Sequence, residues 1–131
     1  MIDIQWLDEP EDHDFDAAEK YLSLIASPHQ RVHPTVNLLR TTVILDHQKA
    51  KDILRASNLP LLDINNTHVA RDIRKVRDGK KLSPILLIRG NAFEGLRLQI
   101  ADGYHRVCAC YHLDENTDIP CLVGDWTGAK S

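Results

Sequence analysis

No uninterrupted apolar run in this 131-residue chain approaches the ~20 residues that a membrane-spanning helix needs. The opening Met1-Ile2-Asp3-Ile4-Gln5-Trp6 also lacks the basic-then-apolar layout of a secretory signal. A soluble, cytoplasmic protein with no membrane partner is therefore expected. Cysteine is scarce: Cys108, Cys110 and Cys121 are an odd number in a chain without an export signal, which argues against a disulfide framework. Neither an internal repeat nor a low-complexity linker divides the chain, so a single domain is expected.

Basic residues are absent from residues 1–19, which carry eight acids. The remaining stretch holds all 16 Lys and Arg against 11 acids, although the whole chain is at −3. A modestly basic body behind an acidic leader suits an anionic ligand. It is a poor match for duplex DNA, where many phosphate contacts dominate affinity. A solvated surface explains the same asymmetry.

Hydrophobic spacing orders the rest. Residues 1–13 read as an acidic, mobile leader, and 14–58 as an N-terminal helical extension. Within it Ala18, Tyr21, Leu22 and Ile25 recur at helical spacing, Asp16 with Glu19 resembles a capping box, and Pro28 ends the helix. Residues 33–45 suit either state, with Thr41–Leu45 leaning to strand. A second helix is expected from Asp46 to Ser57, and a short strand or its approach at Leu61–Ile64. Val69, Ile73 and Val76 mark an amphipathic helix closed by Asp78-Gly79. Ile85–Ile88 has the continuous apolar character of a strand covered on both faces, and Leu96, Leu98 and Ile100 alternate as a half-buried one. A helix over Tyr104–Leu113 and a strand over 119–123, with Pro120 at an edge or at the strand's start, complete the core at 59–125. The expected fold class is α/β (α+β): a small mixed sheet with covering helices.

Ile100-Ala101-Asp102-Gly103-Tyr104-His105-Arg106 is the segment with chemical potential. A strand ends, glycine permits a tight turn, and a helix begins with unpaired amides and partial positive charge at its first turn. His105 and Arg106 add donors there, as a phosphate or carboxylate site requires. Every member also has a purely structural use: Asp102 as a helix cap, Gly103 as a turn, His105 as packing, Arg106 as a surface charge. Arg71 and Lys75, on the 69–77 helix, are further candidates for phosphate contact, or else part of a solvated face. No metal site is expected. His105, Cys108 and Cys110 look like zinc ligands, but residues two apart on a helix point to nearly opposite sides.

The stretches Leu82-Ser83-Pro84-Ile85-Leu86-Leu87-Ile88, Asp102-Gly103-Tyr104-His105-Arg106 and Asp118-Ile119-Pro120-Cys121-Leu122-Val123 together resemble the ParB/sulfiredoxin superfamily over roughly residues 59–125. The resemblance implies that the turn and its helix hold nucleotide phosphates (ATP, ADP or CTP) through Gly103, Tyr104, His105 and Arg106; in a phosphoryl-transferring enzyme Asp102 would serve as base or Mg²⁺ ligand. Tyr104 stands where sulfiredoxins carry their catalytic cysteine, so sulfinic acid reduction is not implied. Partition proteins have Glu-Arg-Arg after the glycine and a following helix-turn-helix, which this sequence does not show. The Asp-Gly-x-x-Arg form is nearer to the free-serine kinases of the superfamily, which implies Asp102 as an acid/base group, with His105 beside it. Three functions follow as expectations: a phosphoryl-transferring or nucleotide-hydrolysing enzyme, a non-catalytic nucleotide-binding module, and a nucleic-acid-associated protein or nuclease. DNA is the least expected partner on charge. A protein partner, or a second copy of the chain, is expected to dock through 1–58.

Overall fold

Ile85-Leu86-Leu87-Ile88 organises the molecule. In the computed structural model, which describes residues 3–128, these four residues form β2 (Ile85–Ile88), buried along its length. Side chains alternate across a strand, so Ile85 and Leu87 enter one apolar cluster while Leu86 and Ile88 enter another on the opposite face. Burial of each such side chain contributes about 1.5–3 kcal/mol.

β4 (Asp118–Gly124) pairs parallel with β2. β1 (Asp46–Lys49) pairs antiparallel with β4, and β3 (Gln99–Asp102) antiparallel with β2. The order β1-β4-β2-β3 makes a mixed open sheet. On one face α3 (Ala50–Ser57), α4 (Thr67–Arg77) and α5 (Tyr104–Leu113) supply Ile53, Val69, Ile73 and Val107 to the first cluster. On the other, α1 (Asp12–Leu22) and α2 (His33–Thr41) supply Phe15, Leu22, Val36 and Leu39 to the second. Among the described residues no helix is long and apolar enough to cross a membrane.

Several local expectations are corrected. The acidic leader is tied to the segment that leads into β2: the Leu7 amide donates to the Leu82 carbonyl at 2.8 Å, and Ile4 and Trp6 pack against the first cluster. The first helix starts at Asp12, where the Asp14 carboxylate accepts the Glu11 amide at 2.9 Å. Asp16 lies inside that helix and pairs instead with Arg40 at 3.0 Å. Pro28 does not end a helix. It opens a π-helical turn (Pro28–Val32) that runs into α2, a first-turn position where its missing N–H costs nothing. Thr41–Leu45 forms no strand, and Val43 and Ile44 are exposed.

The 14–58 segment is not all helical, because Asp46–Lys49 zips onto β4 before α3 begins. Its pairing overrides the sequence pattern. Leu61–Ile64 forms no strand; the Pro60 and Leu62 carbonyls are spent on Tyr104 Oη and His112 Nε2. β3 covers only Gln99–Asp102, with Leu96 in a single bridge to Asn91. β4 is interior, not an edge. Pairing with β2 begins at Cys121, one residue after Pro120, so the proline precedes that ladder.

Candidate functional site

Asp102 ends β3, and Gly103 turns the chain into α5 with φ of 112°, in the left-handed region that favours glycine. A Cβ there would lie 2.4 Å from Ile85 Cγ2. Backbone strain and overpacking together predict that Gly103→Ala loses about 3 kcal/mol of stability, measurable by chemical denaturation. The turn leaves the start of α5 open. Val107 donates to the Gly103 carbonyl, but no side chain caps the helix, and among the described residues the amides of Tyr104, His105 and Arg106 have no hydrogen-bond partner. Asp102, a candidate cap by sequence, binds Arg106 instead.

Gly103, His105 and Arg106, at this open helix start, line a cleft of about 270 Å³. Asp102, Gly103, His105 and Arg106 line it from the β3–α5 junction, and Arg71 and Lys75 from α4. Six of the seven residues singled out in the sequence therefore meet at one place. The seventh, Tyr104, does not line the cleft; its hydroxyl donates to the Pro60 carbonyl. Glu11, His13, His68, Asp72, Lys81, Leu82 and Ser83, none of them singled out as a site residue in the sequence, complete the walls. His68 had a usable signal, one helical turn before Arg71. Glu11 and Ser83 had none, because the bond between them, 2.7 Å from Ser83 Oγ to Glu11 Oε1, spans 72 residues.

Arg106 has two partners within the protein. Its terminal nitrogens donate to Asp102 Oδ2 at 2.7 Å and to the buried Asp14 at 3.4 Å. It clamps two carboxylates together. Its buried Nε has no partner among the described residues. The free cations are Lys75 and Lys81, which make no ion pair among the described residues. The Arg71 guanidinium approaches His68 Nδ1 at 2.8 Å; because guanidinium only donates, Nδ1 is the accepting nitrogen.

The shared guanidinium separates the two carboxyl groups. Burial pushes Asp102 up to about 6, the attraction of Arg106 being outweighed once neighbouring Asp14 adds its repulsion. Burial also acts upward on Asp14, but Arg106, the Glu11 amide and hydrogen bonds from Asp102 and Ser83 leave it below the usual range. Burial raises Asp72 against the pull of Arg106, Lys75, Arg71 and His105. His105 is lowered by burial and then by His68, whose ring centroid is 4.7 Å away. At neutral pH the site thus presents a bare imidazole and a carboxyl group titrating close to neutrality, the range that suits acid–base work.

Glu11, His13 and Asp14 bring potential metal-ligand atoms within 4.8 Å of one another. Asp14 is already spent on the Glu11 amide and Arg106, and Glu11 on Ser83, so these groups serve as the anchor of α1. Cys108, Cys110 and Cys121 are free and buried. Burial raises all three thiols, Cys110 and Cys121 to about 12. Slow reaction of the folded protein with an aromatic disulfide reagent at pH 8, and fast reaction after denaturation, is the expected outcome.

Compared with protein-family models, curated proteins and solved structures, the chain matches none.

Proposed function

We propose that the cleft binds the phosphate chain of a nucleotide and promotes phosphoryl transfer or hydrolysis. The observation that carries this reading is the convergence of the uncapped start of α5, two unpaired lysines and three imidazoles on one small cleft. Amide N–H groups at a helix start and nearby cations are the standard means of holding phosphate. Apart from Leu82 and Gly103 the walls are charged or polar, so the cleft suits phosphates while a nucleobase would lie outside it. The Gly-x-His-Arg turn and its place between two strands support a ParB/sulfiredoxin-like ancestry for the same reading.

In this scheme Lys75, Lys81 and Arg71 neutralise charge, and His105 donates to a phosphate oxygen. Arg106 orients Asp102, which accepts the proton of the attacking hydroxyl or water. Such chemistry depends mainly on positioning and charge stabilisation. Asp72 offers the oxygen donors that Mg²⁺ prefers, and Mg²⁺ bound there would add charge neutralisation at the phosphates.

A thermal-shift panel of ATP, ADP, CTP, GTP and pyrophosphate, with and without Mg²⁺, tests the binding. At ligand about 100-fold above Kd, stabilisation of about 2.7 kcal/mol is expected. Lys75→Gln with Lys81→Gln, two exposed positions, should remove most of it without unfolding the protein. Absence of any shift, or a shift that survives the double variant, contradicts the assignment. Stabilisation without phosphate release limits the function to binding.

A further inference from the structure

A second cleft, of about 370 Å³, lies at the other end of β3. Gln99 opens that strand on the second cleft and Asp102 closes it on the first, three residue steps away, or about 10 Å. Arg31 from the π-helical turn, Arg89 after β2, Arg97 before β3 and Trp126 after β4 all line it, and no carboxylate does. Three guanidiniums converge here in a chain whose net charge is −3. Only Arg89 is neutralised among the described residues, by Asp125 at 2.9 Å. The Arg31 guanidinium lies 5.9 Å from the centre of the Trp126 ring, and its buried Nε has no hydrogen-bond partner among the described residues. A buried donor without an acceptor costs about 1–3 kcal/mol, so such a group is a marker of a missing partner. Arginine forks match the oxygens of carboxylate and phosphate, while Trp126 and Leu96 give the same cleft an apolar wall.

We infer that this cleft is a separate binding site for a small organic anion: a carboxylate or phosphate monoester carried on a planar, apolar body. The oxyanion sits between Arg31 and Arg97, and the body lies against Trp126 and Leu96. The site does not depend on the phosphate cleft and shares none of its lining residues.

The test uses the full chain with Trp6→Phe, which leaves Trp126 as the sole tryptophan. Benzoate, phenyl phosphate and inorganic phosphate are titrated while Trp126 emission is followed. Benzoate or phenyl phosphate should change the emission saturably, and inorganic phosphate should bind more weakly than phenyl phosphate. Loss of one charge-assisted contact predicts binding about tenfold weaker in Arg31→Met and in Arg97→Gln. Arg97 is exposed, so its variant carries the test even if the Arg31 variant unfolds. The Lys75→Gln/Lys81→Gln protein should bind these probes unchanged, which separates this site from the first. No saturable change with either aromatic probe, or binding as tight in Arg97→Gln as in the parent, overturns the inference. Equal binding of inorganic and phenyl phosphate overturns the role of the apolar wall.

Discussion

Replacing Arg106 with methionine should destabilise the protein by about 3–5 kcal/mol at pH 7.5, the usual cost of removing one partner of a buried ion pair. The substitution keeps much of the side-chain length but leaves two uncompensated carboxylates, one of them on the almost wholly buried Asp14. Asp102 already titrates at about 6 because of burial, and Asp14 is held low only with help from Arg106. Without the guanidinium both folded-state values rise. A group whose folded pKa exceeds its unfolded value costs stability progressively as pH climbs from the unfolded value to the folded one. The deficit should therefore be small near pH 4 and complete above neutrality. Urea denaturation of both proteins at pH 4.5 and 7.5 measures it. A loss of the same size at both pH values would mean that Arg106 contributes packing rather than charge compensation.

Asp102→Asn is expected to have the largest effect on function. If Asp102 takes the proton of the attacking group, its loss costs about 10²- to 10⁴-fold in turnover. The wild-type rate should rise with pH through about 6, because the base works only when deprotonated, and this limb should vanish in the variant. Nucleotide binding should persist, since Lys75, Lys81 and the α5 amides remain. Stability provides an independent readout. Ionisation of Asp102 costs the wild type stability as pH rises from 3.8 to about 6, so the variant's stability should be flatter across that window. Unchanged turnover with an unchanged pH profile would remove Asp102 from the chemistry and leave it as the anchor of Arg106.

Legibility of this fold in its sequence follows the range of the forces involved. The strand Ile85–Ile88 and the helix carrying Val69, Ile73 and Val76 could be read because burial on two faces, or on one helical stripe, imposes a local pattern. Asp46–Lys49 could not: four polar residues become a strand only because β4 offers them a ladder. Pro120 suggested an edge or a strand start, and the interior place of its strand depends on a partner more than 70 residues away in sequence. The site divides in the same way. Asp102, Gly103, His105 and Arg106 are neighbours in sequence, so their junction was visible. The clamp on Arg106 was not, because Asp14 reaches it across 92 residues from the start of the N-terminal extension. Tyr104 shows the converse. It sits in the right turn, but a helix displays successive residues about 100° apart, and its face belongs to Pro60 rather than to the cleft.

The amides at the start of α5 are the part of the site that most directly defines it. Titration of ¹⁵N-labelled protein with pyrophosphate, followed by amide chemical shifts, observes them one by one. The account predicts saturable shifts that are largest at Tyr104, His105 and Arg106. Saturable shifts confined to other residues, with these three unmoved, would contradict it.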